Sequence, residues 1–307
     1  MKSPKMPKIS ILMNCFNGEK YLKEALESVF NQSYNDWEIV FVDNCSTDNS
    51  ASIAVSFGSK LKYYKTPHNV QLGEARAFGL EKCHGKYLMY LDVDDRYHVN
   101  TIDILLNNIS GSSFLVVYGG YQYINAVGTV TGAVTPSPKE GNIFGRLLMQ
   151  FDIPTACLIM DLEMYRASGV VYDCGTMASA EYSLYLRLAV SHDFKCISDQ
   201  LVDYRIHPES LTGEMQGNLY LDRITTLENI ISQNRSIVAA FPAEFRESFA
   251  RADYYKAKHY MQSGEISLAR AVMKQHRFLA FKYLAVYVIF YMPPMIRTLI
   301  FRLKYSR

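Results

Sequence analysis

"LMYLDVDDRYHVN", residues 88–100, runs from an apolar stretch into three aspartates, Asp92, Asp94 and Asp95, within four positions. An unpaired buried carboxylate costs several kcal/mol, so a chain that sets three of them at the end of a strand-like run must meet them with a cation, hydrogen bonds or solvent. Asp92 and Asp94 are two residues apart and fall on the same side of an extended chain. Such a pair at a strand end suits a divalent cation, Mg²⁺ or Mn²⁺, that neutralises a diphosphate. The same residues also suit a second use, in which Asp94 and Asp95 cap a helix starting near Val99. The motif alone does not choose between them.

Upstream of this stretch, apolar runs alternate with helical periods, the pattern of successive βαβ units. "ISILMNCF" reads as a first strand. "GEKYLKEALESVF" reads as a helix, with Tyr21, Leu22, Ala25, Leu26, Val29 and Phe30 at three- and four-residue spacing. "WEIVFVDN" is a second strand and "STDNS" suits the helix start after it. "LKYYKTP" is a third strand, a helix follows over about 71–83, and "KYLMYLD" is the fourth strand, which delivers the aspartates. Ligands of open parallel sheets bind outside the carboxyl ends of the strands, where Asn14, Asp43 and Asp92 all fall. A shared site is implied there.

Taken in order, "ISILMNCFNGEKYLKEALESVFNQSYNDWEIVFVDNCSTDNS" and "HNVQLGEARAFGLEKCHGKYLMYLDVDD" resemble the nucleotide-binding half of the family-2 inverting glycosyltransferases of bacterial surface-polysaccharide type. The resemblance implies a GT-A fold: an α/β, Rossmann-like, mostly parallel central sheet flanked by helices. It further implies a nucleotide-sugar donor and Mg²⁺ or Mn²⁺ as cofactor. The family's first strand ends in a Pro-Thr-Tyr-Asn-like turn that touches the base. Here that turn is Asn14-Cys15-Phe16-Asn17, which keeps the aromatic and Asn17 and lacks the proline. The family's Val-Asp-Asp is Val42-Asp43-Asn44 here, and an asparagine accepts from a uracil N3–H only through its amide oxygen. A uridine diphosphate sugar is the expected donor. Arg76 in "GEARAFG" matches the diphosphate-side arginine, followed by Ala77 where an asparagine is common. By the same matching Asp92 touches the ribose or metal-bound water, and Asp94 and Asp95 hold the metal.

"IPTACLIMDLEMYRASGVVYDCGTMASAEYSLYLRLA" resembles the family's acceptor segment, which ends in Glu-Asp-x-x-Leu-x-x-Arg. Aligned on Leu184 and Arg187, Glu181 stands where the family has its catalytic aspartate, and Ala180 replaces the preceding glutamate. Glu181 could instead be an acid of a first helical turn, favoured by the helix dipole. "YRIHPESLTG" resembles the family's closing loop, and His207 is the counterpart of its metal- or diphosphate-side histidine. A structural histidine is the alternative. The resemblance divides the chain into a nucleotide-sugar half over 1–110, an acceptor half over 111–212 and a helical extension over 213–307.

In the extension, "NLYLDRITTLENIISQN", "PAEFRESFARADYYKAKHYMQSG" and "EISLARAVMKQHR" have helical spacing, and Pro242 sits as an N1 proline would. The last segment differs. Its longest apolar run, Tyr283 to Met292, is ten residues, about half of the ~20 needed to cross a bilayer, and Pro293-Pro294 ends it. From Lys274 to Arg307 there are seven Lys/Arg, no acid and many aromatics. That composition suits an anionic membrane interface, with Tyr283, Tyr287, Phe290 and Tyr291 buried in it. A helix packed on its own domain is the alternative. An interfacial segment points to a lipid-linked saccharide acceptor.

The bounds agree with such an enzyme. Length 307 with 49% apolar residues gives a globular chain of about two domains. A net charge of +2 and the lack of an arginine-rich, aromatic-interleaved run in the first 270 residues speak against a nucleic-acid partner. Six scattered cysteines without a C-x-x-C read as reduced thiols. "MKSPKMPKIS" has no signal-peptide apolar region, so the expected place is the cytoplasm, at the inner face of the plasma membrane. Two other readings stay open: a nucleotidyltransferase, for which no Gly-rich phosphate loop with a lysine is found, and a non-catalytic nucleotide-sugar sensor or membrane scaffold, suggested by Asn44, Ala77 and Ala180.

Overall fold

A computed structural model describes residues 6–173, 180–208 and 219–297. The chain divides into two compact units, Met1–Gly213 and Glu214–Arg307.

In the first unit the alternating pattern becomes β1 (Ile9–Cys15), α1 (Glu19–Phe30), β2 (Trp37–Asp43), α2 (Ser50–Ser56), β3 (Leu61–Lys65), α3 (Leu72–Leu80) and β4 (Tyr87–Tyr90). These strands are parallel neighbours in the order β3-β2-β1-β4. β1, β2 and β4 are buried on both faces because helices cover both, whereas the edge strand β3 is partly exposed. Ile9, Ile11 and Met13 of β1 share one core with Leu22, Ala25, Leu26 and Val29 of α1 and with Ile39 and Phe41 of β2. Each of the larger of these side chains, fully buried, contributes about 1.5–3 kcal/mol. The register sets Cys15 opposite Asp43 and Leu12 opposite Tyr90, so β1, β2 and β4 end at one edge.

Beyond β4 the sheet is mixed. The short β5 (Arg96–Tyr97) and α4 (Thr101–Ile109) lead to β6 (Val116–Ile124), β7 (Val130–Val134), β8 (Lys139–Gly141) and α5 (Phe144–Met149). A 3₁₀ turn at Thr155–Cys157 then opens β9 (Leu158–Asp161), followed by α6 (Leu162–Ala167), α7 (Ala180–Ala189) and β10 (Phe194–Arg205). β9 inserts antiparallel between β4 and β6, and β10 runs parallel to β6. The order of the full path is β3-β2-β1-β4-β9-β6-β10-β5, with β7 on β6 and β8 on β10. Helix α4 starts at Thr101 with Asn100 before it and has no side-chain cap. Asp94 and Asp95 are therefore not its caps, because β5 intervenes.

In the second unit, helices span Leu219–Gln233, Pro242–Gln262, Ile266–Lys274 and Phe281–Ile289, with Pro242 at the start of its helix as its fixed φ favours. Ala250, Ala257, Ala269, Met273, Tyr283, Val286 and Phe290 form one core. Tyr283 and Phe290 are thus 3% and 0% exposed inside the unit, which corrects the expectation that they lie in a membrane interface. The aromatic and apolar surface of this segment comes instead from Phe278, Phe281, Tyr291 and Met295. Among the described residues no helix is long and apolar enough to cross a membrane.

Candidate active site

The loops after β1, β2 and β4 meet at the carboxyl edge of the parallel strands. Two non-glycine residues there have left-handed backbones, Asn17 (φ 53) and Cys45 (φ 64), a conformation that costs most residues about 1–3 kcal/mol unless neighbours impose it. Asn17 is held by its own side chain: Oδ1 accepts from Thr47 N at 2.8 Å, and its backbone N donates to Ser46 Oγ at 3.0 Å. Gly18 lets this loop approach the aspartate turn, since a Cβ there would come 2.8 Å from Val93 Cγ2. Phe16 is left 53% exposed on the edge.

Asp43 is fully buried. Its Oδ1 accepts from Ser46 N at 2.7 Å and its Oδ2 from Tyr63 OH at 2.5 Å. Asn44 is fastened to the loop that follows β3: its amide oxygen accepts from Val70 N (2.9 Å) and Thr66 Oγ1 (3.1 Å), and its amide nitrogen donates to Val70 O (2.8 Å). Both lone pairs of that oxygen are thereby used, so Asn44 shapes this edge and does not present its amide oxygen to it. Asn14 Nδ2 is buried beside them without a hydrogen-bond partner among the described residues.

Arg76, 3% exposed on α3, is the centre of the second group. It donates through Nη2 to Asp92 Oδ1 at 2.9 Å and through Nη1 to Glu181 Oε1 of α7, and it lies over the Tyr90 ring. Burial works against the charged guanidinium, yet Glu181 and Asp92 hold its pKa well above the ordinary value. Glu181 is the second residue of α7, and the turn before it, 174–179, lies outside the described residues.

The remaining carboxylates have other partners. Asp94 Oδ2 meets His207 Nε2 at 3.0 Å, and the His207 ring packs on Tyr21. Burial first and the Asp92 charge second push the Asp94 carboxyl up from its ordinary range, against the pull of His207. Asp95, 2% exposed, points inward, with Oδ1 accepting from Arg205 N at 2.8 Å. Its Oδ2 is buried without a hydrogen-bond partner among the described residues. Burial and the charges of Asp94 and Asp92 raise its pKa well above the usual value. Of the sequence-derived ligands the structure brings Asp94 and His207 together and holds Asp95 behind them.

One part of this site escaped the sequence reading. Arg205, 2% exposed, donates to Asp94 O (2.8 Å) and to Glu24 Oε2 (2.6 Å) and lies over the Tyr21 ring at 4.5 Å. Arg96 donates to Glu24 Oε1 and to Asp203 Oδ2, and Asp203 Oδ1 meets His98 Nε2 at 2.8 Å. The network clamps the aspartate turn from α1, β5 and β10. Its traces in sequence were Arg96 and His98, just after the aspartates, and an arginine two residues before His207.

Among the described residues no group of three or more His, Cys, Asp or Glu side chains stands ready to hold a metal ion. Mg²⁺ does not require one: it binds through one or two carboxylates together with substrate phosphates. Asp94 supplies one such carboxylate, and His207 Nε2 stands beside it at 3.0 Å. The thiols of Cys15, Cys45, Cys83, Cys157 and Cys196 are free, while Cys174 lies outside the described residues.

This mixed sheet with helices on both faces is an α/β fold of the GT-A type. The chain belongs to glycosyl transferase family 2, whose model matches residues 10–168. An uncharacterized glycosyltransferase of Rickettsia felis is 28% identical over 66% of this chain and 35% of its own length. One of Haemophilus influenzae is 34% identical over 44% of this chain and 55% of its own. This chain thus spans about a third to a half of these two relatives. The Escherichia coli UDP-Glc:alpha-D-GlcNAc-diphosphoundecaprenol beta-1,3-glucosyltransferase WfgD is 23% identical over 67% of this chain and 79% of its length. In fold the chain is similar to S. aureus TarS 1–349 in complex with UDP-GlcNAc, with a TM-score of 0.64 and 17% identity over 88% of this chain and 91% of that one.

Proposed function

We propose that this chain transfers a sugar from a UDP-sugar to a hydroxyl of a lipid-linked saccharide, with inversion at the anomeric carbon. The observation that carries the reading is Arg76, a buried cation that joins Asp92 at the donor edge to Glu181, 105 residues beyond Arg76 itself, at the start of α7. That juxtaposition sets a diphosphate-binding cation beside a candidate base. The WfgD and TarS likenesses support a uridine donor, and WfgD supports a lipid diphosphate acceptor.

In this reading Phe16 offers its exposed ring to the base, and Asn14, Asp43 and Asn44 shape the pocket from behind. Asp94 and His207 would hold Mg²⁺ or Mn²⁺, which when bound neutralises charge on the diphosphate. Arg76 stabilises the negative charge that develops on the departing nucleotide. As Arg76 turns to the diphosphate, Glu181 is released to take the proton of the acceptor hydroxyl. The acceptor oxygen attacks from the face opposite the leaving group, so the configuration inverts. The basic, aromatic segment from Lys274 onward would hold the enzyme at an anionic membrane where such acceptors reside.

The test incubates the chain with UDP-glucose, UDP-galactose or UDP-GlcNAc, divalent metal and a bacterial membrane extract, and measures UDP release and labelled glycolipid. Glu181→Gln should lower transfer by about 10²–10⁴, the worth of a general base, while UDP affinity changes little in a calorimetric titration. Absence of release from every donor, or undiminished transfer by Glu181→Gln, refutes the reading.

A further inference from the structure

Three tyrosines outside the groups described above stand together at the end of the mixed sheet. The rings of Tyr121 and Tyr123 on β6 meet edge-on at 5.1 Å, and Tyr204 on β10 lies 5.7 Å from the first and 6.0 Å from the second. All three are half-buried, whereas Tyr118 of the same strand is fully buried.

Their position follows from the sheet. β6 is antiparallel to β9 and β9 to β4, and β10 is parallel to β6, so β6 and β10 run in the direction of β4 and end at the edge to which β4 delivers the aspartates. Tyr123 pairs with Tyr204 and Tyr121 with Val202, so the three rings rise from one face. The strand ends stay together beyond them, since Ile206 N donates to Ile124 O at 2.8 Å. The next residue is His207, which meets Asp94. Arg205, on the opposite side of β10 from Tyr204, donates to Asn125 O of the loop after β6 at 3.3 Å and to Asp94 O at 2.8 Å. One arginine therefore ties the strand ends that carry the rings to the aspartate turn.

The surroundings of the rings suit a sugar. β7 sets Gly132 opposite Tyr123, where a Cβ would stand 3.6 Å from Tyr123 Cδ2. Any larger side chain at 132 would lie on that ring, so the glycine keeps this side of it clear. Val134 and Val202 share the face and carry no charge. Ile206, two residues past Tyr204, is 53% exposed and extends the apolar surface towards His207. The Tyr121 and Tyr123 hydroxyls share one hydrogen bond at 3.0 Å. Two hydroxyls bring two hydrogens and four lone pairs, so the pair keeps one hydrogen and three lone pairs for further partners. Flat apolar rings bordered by groups that both give and accept hydrogen bonds match a pyranose, which has an apolar C–H face and a rim of hydroxyls. An anion meets no cation on this face, and a plain hydrocarbon chain would leave the remaining phenolic hydrogen without an acceptor.

We infer that Tyr121, Tyr123 and Tyr204 form a stacking platform that seats a neutral pyranose ring of the acceptor near the Asp94–His207 pair. That the sugar belongs to the acceptor rests on the glycosyl-transfer reading above; sugar binding at the rings does not. The test is saturation-transfer NMR on the full chain, with and without UDP and Mn²⁺, using the methyl β-glycosides of glucose, galactose and N-acetylglucosamine and, as a hydrocarbon probe, farnesyl phosphate. At least one glycoside should bind saturably, and irradiation of the aromatic protons should reach the C–H protons of one ring face more strongly than those of the other. Tyr123→Leu should weaken binding about fivefold or more, the worth of an aromatic wall, and Tyr123→Phe, which keeps the ring, should weaken it less. Gly132→Leu keeps all three tyrosines and lays a side chain on the platform. It should abolish sugar binding while the circular dichroism spectrum stays unchanged, and it decides the matter if Tyr123→Leu does not fold. Binding of no glycoside in either condition, binding of farnesyl phosphate alone, equal saturation of both ring faces, or wild-type sugar affinity in Gly132→Leu overturns the inference. Sugar binding that Gly132→Leu abolishes, without nucleotide release from any donor, would instead refute glycosyl transfer and leave the platform standing.

Discussion

Replacing Arg76 by methionine should expose how the site is held together. The guanidinium is 4% exposed, Glu181 16% and Asp92 39%, so the substitution strands one well-buried carboxylate and one partly solvated carboxylate. Breaking a buried pair from one side costs about 3–5 kcal/mol, and the solvation of Asp92 argues for the lower end, about 3 kcal/mol. The chain has one tryptophan, Trp37, buried in β2 of the unit that carries the site, so its fluorescence in a urea titration reports on that unit alone. With a urea slope of about 2 kcal/mol/M the midpoint should fall by about 1.5 M. The double variant Arg76→Met with Glu181→Gln removes the stranded charge as well, and it should regain at least about 1 kcal/mol relative to Arg76→Met. Glu181→Gln is therefore stabilising in that background and destabilising in the wild type. A midpoint shift below about 0.3 M for Arg76→Met, or additivity of the two changes within about 0.5 kcal/mol, would refute the reasoning.

Three further outcomes are expected. Arg205→Gln, which unpins Asp94 O and Glu24, should weaken UDP binding in the presence of Mn²⁺ more than in its absence, as read by calorimetry; an equal loss in both would assign Arg205 to packing alone. The Asp203 carboxylate raises the His98 pKa and is itself held low, despite burial, by His98 and Arg96. Because the folded-state value of His98 lies above the unfolded ~6.5, its stabilisation is fully present below that pH and is lost as pH rises through the folded value. Urea midpoints of His98→Gln should hence fall furthest below wild type near pH 6 and converge by pH 9, and a constant difference would exclude the linkage. Phe278→Ser with Phe281→Ser removes two rings that are 81% and 84% exposed beside Arg277 and Lys282, and should release the chain from anionic vesicles in a sedimentation assay without lowering its melting temperature; unchanged sedimentation would reject this segment as the membrane contact.

The nucleotide half was legible because each of its elements answers to local periodicity. β1, α1, β2, β3, α3 and β4 all fall within two or three residues of their apolar runs, since strands buried on both faces and helices buried on one leave distinct spacings. β9 was not legible as an antiparallel insertion: "LIMD" is apolar up to its last residue, and direction within a sheet leaves no mark in a four-residue run. Nor could spacing alone reveal that Asp94 and Asp95 do not cap α4, because that depended on two residues, Arg96 and Tyr97, pairing with Asp203 and Val202 more than a hundred positions away.

Residue types and their order in the chain determined the edge at which the site lies, and the family resemblance selected Arg76, Asp92 and Glu181 as its members. Only the tertiary structure decided how those members are spent. Asn44 carries an amide that could meet a base, and the 66–70 loop takes it. Asp95 sits beside Asp94 in sequence, yet the backbone of Arg205 turns it inward. Tyr283 and Phe290 have the composition of an interface, and the core of the second unit buries them. In each case the side chain had more than one favourable partner at similar free energy, and the choice was made by which partner the distant backbone brought within about 3 Å.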